Sequence, residues 1–192
     1  MNTKATLAAL LAIAALAATA GFIYLTDEPV LHGSVIHPPL EAAEIKLTDF
    51  NGLPFALSDQ RGKVALIYFG YTKCPDECPL TMAKLKLAMQ QLGADAAQTS
   101  VLLVTTDPER DSPEALKDFL GRFDSAFLGL RGDADQLSKV WRDYGVTVMD
   151  GGESHSNYIY VIDTAGNLVE TLLPEALPAD IAADVRLLLE AE

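Results

Sequence analysis

Residues 64–79, VALIYFGYTKCPDECP, join an apolar run to both cysteines of the chain. The run 64–69 is typical of a strand that is buried on both faces. Pro79 suits the first position of a helix. Cys78 is therefore expected near the cap of a helix that follows a central strand, with Cys74 about one turn earlier.

Two thiols one turn apart can form a disulfide or bind one metal ion together. Their backbone carbons are expected to lie roughly 6 Å apart, which a disulfide tolerates. A disulfide that closes about five residues would stabilise the fold by only about 2 kcal/mol and would join no distant elements. A functional role is thus favoured over a structural one. The helix start and Lys73 favour the thiolate, whereas Asp76 and Glu77 oppose it, so the sequence leaves the direction of the pKa shift open.

An uncharged segment precedes the folded part of the chain. The run from Ala5 to Leu25 has no charged residue, and at about 1.5 Å per residue it is long enough for a bilayer core of about 30 Å. Lys4 precedes it while Asp27 and Glu28 follow, which predicts a cytoplasmic N-terminus. Residues 1–25 are thus predicted as a single-pass anchor in a bacterial inner membrane or an export signal. The anchor is favoured because the run exceeds an ordinary signal core.

Residues 26–40 are predicted as a linker, because they contain Pro29, Gly33, Pro38 and Pro39 and show little periodicity. His32 and His37 lie in this stretch and are interpreted as solvated bystanders. The remaining residues, 41–192, have the usual length of one domain. This domain is expected to face the periplasm or the cell exterior.

The pattern in residues 41–192 predicts an α/β fold, a thioredoxin-like sandwich with an N-terminal hairpin. Strands alternate with helices, which favours parallel pairing, and a final hairpin adds an antiparallel edge. In such sheets ligands bind beyond the carboxyl ends of the strands, where the cysteine segment lies. The predicted strands are 45–48, 55–57, 64–69, 101–104, 127–130, 158–162 and 168–172, and the predicted helices are 80–92, 112–123, 135–144 and one from residue 179.

The charge of the chain disfavours nucleic acid as a partner. The net charge is -13, with 27 acidic against 14 basic residues, and no basic cluster is present to contact phosphates. The acidity suits a cationic partner or metal ions, although solubility explains it equally well.

One histidine, His155, lies in the predicted domain. Copper(I) is soft and binds thiolates, with imidazole as a suitable further donor. His155 follows Gly151 and Gly152 in a predicted mobile loop before a strand, so it could reach the cysteines. The alternative is that His155 is an ordinary exposed histidine. The cysteine pair makes this alternative less favoured. Met149 is a further soft donor, but its neighbours predict that it packs in the core.

Three stretches resemble the Sco/SenC family of copper-binding cytochrome c oxidase assembly proteins: 62–64, 69–79 and 106–114. The resemblance implies a membrane-tethered thioredoxin-like domain in which Cys74, Cys78 and His155 bind copper. Three positions depart from the family pattern: Lys73 replaces a usual histidine, Glu77 an apolar residue and Ser154 an aspartate. No ligand is lost, but groups that orient the ligands differ. Asp107 and Arg110, in the third stretch, are predicted to form an ion pair or to start a helix.

The leading hypothesis is therefore an extracytoplasmic copper metallochaperone. By the resemblance, its partner is the copper-binding subunit of a cytochrome oxidase, or another copper protein, and its task is assembly of the copper A centre. The alternatives are a thiol-disulfide oxidoreductase that uses Cys74 and Cys78 alone, and a copper or redox sensor. A zinc enzyme is less favoured because only Glu153 is available as a base, and a peroxidase is less favoured because the cysteines are paired.

Overall fold

The computed structural model describes residues 30–191. The predicted anchor, 1–25, and the first residues of the predicted linker lie outside this range. Within the described range no helix combines the length and apolarity needed to cross a bilayer.

A mixed eight-stranded sheet forms the centre of the fold, with strand order β1-β10-β9-β4-β5-β6-β2-β3. Strands β4, β5 and β6 run parallel, and the remaining neighbours pair antiparallel. A separate two-stranded sheet pairs β7 with β8. The strands are β1 Ser34–Glu41, β2 Lys46–Asp49, β3 Pro54–Ala56, β4 Val64–Gly70, β5 Thr99–Thr105, β6 Leu128–Arg131, β7 Val148–Met149, β8 Ser154–His155, β9 Ile159–Ile162 and β10 Asn167–Leu172.

Four α-helices cover the two faces of this sheet in the described range: α1 Glu77–Leu92, α2 Pro113–Gly121, α3 Ala134–Asp143 and α4 Pro178–Glu190. Side chains alternate between the faces of a strand. Val64, Leu66 and Tyr68 of β4 consequently pack in one core with residues of α1, α2 and α4. Ala65, Ile67 and Phe69 pack in a second core with residues of α3 and of the β2–β3 hairpin. This arrangement confirms the predicted α/β layers.

The predicted elements are present with shifted ends. The N-terminal hairpin pairs Leu47 with Phe55. The hydroxyl of Ser112 accepts a hydrogen bond from the Ala115 N–H and caps α2, as the sequence predicts. The cysteine helix α1 begins at Glu77, before the predicted start at residues 79–80.

The predicted linker is wrong in its second half. Residues 34–41 form β1, which pairs antiparallel with β10 at the edge of the main sheet. His32 is not a bystander either, because its Nδ1 lies 2.6 Å from Oδ1 of the buried Asp184. Sequence patterns could not reveal this pair, since its members are 152 positions apart. The folded domain therefore begins before residue 41.

A buried carboxyl group beside this contact makes stability depend on pH. Burial, together with repulsion from Asp184, raises the pKa of Glu170 to about 7. The hydrogen bond with Asp184 raises the pKa of His32. A group whose pKa is raised on folding stabilises the protein below its unfolded pKa and loses this contribution as pH rises through the folded pKa. Glu170 thus makes the protein less stable as the pH rises from about 4 to about 7. The raised pKa of His32 adds a loss of stability that begins near the ordinary histidine pKa of about 6.5.

Replacing Glu170 with glutamine should remove its share of this pH dependence. We expect Glu170→Gln to raise the free energy of unfolding, relative to wild type, by about 1–2 kcal/mol more at pH 8 than at pH 4.5. Denaturant unfolding at the two pH values measures the difference. An equal effect of the substitution at both pH values would show that Glu170 does not titrate in this range.

Candidate metal centre

The two cysteines follow the carboxyl end of the central strand β4, as the sequence predicts. Cys78 lies in the first turn of α1 and is fully buried, while Cys74 lies in the preceding loop and is partly exposed. Both are free thiols. The backbone N–H of Cys78 donates to Cys74 Sγ over 3.3 Å, which is the one-turn proximity that the spacing predicts.

The two thiols differ in acidity. Partial burial opposes ionisation of Cys74, but hydrogen bonds from the backbone of Cys78 and Asp76 outweigh it and lower the pKa of the Cys74 thiol. Burial raises the pKa of the Cys78 thiol to about 12. Cys74 is therefore the thiol that ionises first, and Cys78 keeps its proton at neutral pH unless another cation replaces it.

His155 lies beside Cys78, with its Nε2 atom 3.9 Å from Cys78 Sγ. The predicted mobile loop is wrong here, because His155 belongs to strand β8, which pairs with β7. Its Nδ1 lies 3.0 Å from the carbonyl oxygen of Ser156. A carbonyl only accepts hydrogen bonds, so Nδ1 is the donor in this contact, and the other ring nitrogen, Nε2, lies on the side of Cys78.

Two tyrosine rings enclose the imidazole. Tyr68 and Tyr71 meet it edge-on, with ring centroids 6.2 and 5.9 Å away. Burial raises the pKa of both tyrosine hydroxyls, that of Tyr71 to about 12. The rings are thus neutral, apolar walls that limit the rotation of His155. Within residues 30–191, no three histidine, cysteine or acidic side chains are arranged as a complete metal cage.

Side-chain contacts from the loop after β5 hold the β7–β8 hairpin over the sheet. The Thr106 hydroxyl donates to the Gly152 carbonyl over 2.9 Å. Arg110 pairs with Asp107 and, over 2.6 Å, with Glu153, and its guanidinium lies 5.9 Å from the Tyr71 ring centroid. The predicted Asp107–Arg110 ion pair is thereby confirmed. These contacts join the hairpin to the main sheet.

Three side chains at the site, those of Tyr68, Glu77 and Asn157, show no sequence pattern that marks them as a group. Tyr68 Oη donates to Asn157 Oδ1 over 2.7 Å, and Asn157 Nδ2 donates to Glu77 Oε2 over 3.0 Å. Their positions 68, 77 and 157 share no short-range pattern, so the sequence did not predict their contacts. The prediction that Met149 packs in the core is wrong, because this residue is 55% exposed.

A family model described as SCO1/SenC matches residues 36–190. The chain belongs to the SCO1/SenC family. Bradyrhizobium japonicum ScoI, solved with copper bound, superposes with a TM-score of 0.71 at 33% identity, over 77% of this chain and 98% of that chain. The fold is accordingly the thioredoxin-like fold of the Sco structures. BsSco, a member of the Sco family of cytochrome c oxidase assembly proteins, shares it at 21% identity with a TM-score of 0.69, over 83% of this chain and 99% of that chain.

Among curated relatives, the mitochondrial protein SCO2 of Saccharomyces cerevisiae is 35% identical over 136 residues, which cover 66% of this chain. The matched region spans 45% of the yeast protein's length.

Proposed function

We propose that this Sco protein is an extracytoplasmic copper metallochaperone that binds copper through Cys74, Cys78 and His155. Its task is to assist assembly of the copper A centre in cytochrome c oxidase. The observation that carries the proposal is the 3.9 Å separation between Cys78 Sγ and His155 Nε2, in a fold shared with copper-bound ScoI.

The distance between Cys78 Sγ and His155 Nε2 fits two atoms that bind the same metal ion. With metal–sulfur and metal–nitrogen bonds of about 2.3 and 2.0 Å, as known for zinc, a ligand–metal–ligand angle of about 120° puts the two donor atoms about 3.7 Å apart. Nε2 is the imidazole nitrogen that lies next to Cys78 Sγ. A bound cation also deprotonates a coordinating thiol, so copper would replace the proton that burial retains on Cys78. Cys74 would complete the site by a local turn of its side chain.

The proposed ligands differ in exposure, which favours the transfer of copper to another protein. Two thiolates and one imidazole match the preference of Cu(I) for soft donors and leave room for an additional ligand. Cys74 is partly exposed and Cys78 is buried. An incoming protein can therefore approach from the side of Cys74 and exchange ligands one at a time.

We place this reaction on the outer side of a bacterial inner membrane. The uncharged segment Ala5–Leu25 would anchor the chain, and the domain would face the periplasm or the cell exterior. The expected partner is the copper-binding subunit of cytochrome oxidase, whose cysteines take up the metal.

Copper transfer tests the proposal directly. The copper-loaded protein is mixed with a metal-free, reduced copper A domain of an oxidase subunit, and the visible spectrum of the assembled centre is followed. We expect wild type to form the centre, and a Cys74→Ser/Cys78→Ser variant premixed with the same copper to form it no better than free copper does. Equal rates for the two proteins would overturn the proposal.

A thiol-disulfide oxidoreductase is the second candidate, favoured by one observation. Cys74 is partly exposed and accepts a backbone N–H, whereas its neighbour Cys78 is buried, which suits an attacking and a resolving thiol. In that case metal-free protein would reduce the disulfide of the oxidase subunit, and His155→Ala would leave the rate unchanged. A rate no faster than that of free glutathione would exclude this activity.

A further inference from the structure

Asn157 connects the histidine side of the site to the cysteine side. It lies two residues after His155, and both ends of its amide are in use. Oδ1 accepts from the Tyr68 hydroxyl and Nδ2 donates to Glu77 Oε2, over 2.7 and 3.0 Å. Each partner adjoins Cys78: Glu77 precedes it in the chain, and Tyr68 Oη lies 3.7 Å from its Sγ.

The chemistry of the two partners fixes the orientation of this amide. A tyrosine hydroxyl can donate or accept, so Tyr68 would tolerate either end of the Asn157 amide. The Glu77 carboxylate only accepts, so it requires the NH₂ end. Glu77 thereby selects the amide orientation observed, and its carboxylate holds the segment after β8 against the first turn of α1.

We propose that Glu77 and Asn157 form a clasp that holds His155 against Cys78 and slows the release of copper. This inference rests on the proposed function. The clasp consists of the Glu77 and Asn157 side chains, with the Tyr68 hydroxyl as its support. Glu77 and Asn157 are positioning residues, since they act through His155 and not on the metal.

The location of the clasp explains why it would control the ligand. Strand β8 is two residues long, and past His155 the Ser156 N–H donates to Thr147 O over 3.2 Å. Tyr158 is exposed, and the chain enters the core again at Ile159. The Asn157 side chain is therefore the point at which the segment between His155 and β9 is fixed to the cysteine helix.

Exchanging donor and acceptor tests the clasp. Asn157→Asp keeps the shape and the acceptor for Tyr68, but it places a second carboxylate against Glu77. We expect this variant to release Cu(I) to an excess of a chromogenic chelator about tenfold faster. In Asn157→Asp/Glu77→Gln the glutamine amide can donate to the aspartate, so the hydrogen bond returns with its direction reversed. Release is then expected within about threefold of wild type.

Two controls separate this effect from charge and from misfolding. Gln90→Glu adds a negative charge at an exposed position near the other end of α1 and should leave release unchanged. Thermal unfolding of each metal-free protein identifies variants that fail to fold. The double variant controls for both, because recovery requires an intact fold and the specific hydrogen bond. Release from Asn157→Asp at the rate of Gln90→Glu, or no recovery in the double variant, would overturn the clasp.

Amide hydrogen exchange of metal-free protein tests the clasp without copper. The N–H of Ser156 should exchange about tenfold faster in Asn157→Asp and return toward wild type in the double variant. An unchanged exchange rate would overturn the clasp whatever the metal data show. If exchange follows this pattern while copper binding does not depend on His155, the clasp exists and the proposed function fails.

Discussion

Cys78→Ser is expected to lower the affinity of the reduced protein for Cu(I) by more than about a hundredfold. A serine hydroxyl is a hard donor and does not ionise at neutral pH, so it cannot replace a thiolate on a soft cation. The change removes one of three proposed donors, and the loss of groups that only orient a ligand already costs about 10–100-fold in other metal sites. Cys74→Ser should have an effect of the same size.

His155→Ala is expected to weaken Cu(I) binding less than the cysteine changes, by about 10–100-fold, because the two thiolates would still hold the ion. His37→Ala is the matched control, since His37 is an exposed histidine on β1, outside the site. Competition with a Cu(I) chelator under reducing conditions gives the affinities of wild type and of these four variants. Equal affinities for His155→Ala and His37→Ala would remove the histidine from the site.

Gly152→Ala is expected to displace the β7–β8 hairpin and with it His155. Gly152 has a φ angle of +98°, and a Cβ atom there would lie 2.1 Å from the backbone oxygen of Thr106. A backbone oxygen cannot turn away as a flexible side chain can, so the hairpin must shift. We expect a loss of stability of about 3 kcal/mol and a Cu(I) affinity close to that of His155→Ala.

Gly151→Ala distinguishes the effect of the clash at Gly152 from the effect of backbone strain. Gly151 also has a positive φ angle, +65°, but a Cβ atom at this position would meet no other atom within 4 Å. The substitution should cost about 1 kcal/mol and leave the affinity within a few-fold of wild type. Denaturant unfolding and chelator competition measure both variants. If the two substitutions have equal effects on affinity, the contact between Gly152 and Thr106 does not position His155.

Local patterns in the sequence predict the centre of this fold well. The apolar run 64–69 is buried on both faces because strand side chains alternate, and the cysteines follow it because a buried parallel strand leads into a helix. Ser112 caps its helix for an equally local reason. Helix α1 starts earlier than predicted because Cys78 and Pro79 are accommodated in its first turn.

Contacts between distant positions could not be predicted from such patterns. The linker prediction failed for β1 because the proline-rich residues 34–41 pair with β10, far along the chain. The bystander prediction for His32 failed because Asp184 is distant in sequence. The clasp was missed for the same reason, because Glu77 and Asn157 are 80 positions apart.

The departures from the family pattern acquire a physical meaning in the structure. Ser154 supplies no carboxylate to orient the proposed histidine ligand, and the Ser156 carbonyl accepts from Nδ1 instead. Glu77, in place of an apolar residue, binds Asn157. Both changes concern groups that orient the proposed ligands.

X-ray absorption spectroscopy of the Cu(I)-loaded protein tests the proposed ligand set most directly. We predict two sulfur neighbours and one nitrogen neighbour for the copper in wild type, with the nitrogen lost in His155→Ala and retained in His37→Ala. A copper ion with the same neighbours in wild type and His155→Ala, or with fewer than two sulfur neighbours in wild type, would contradict this ligand set.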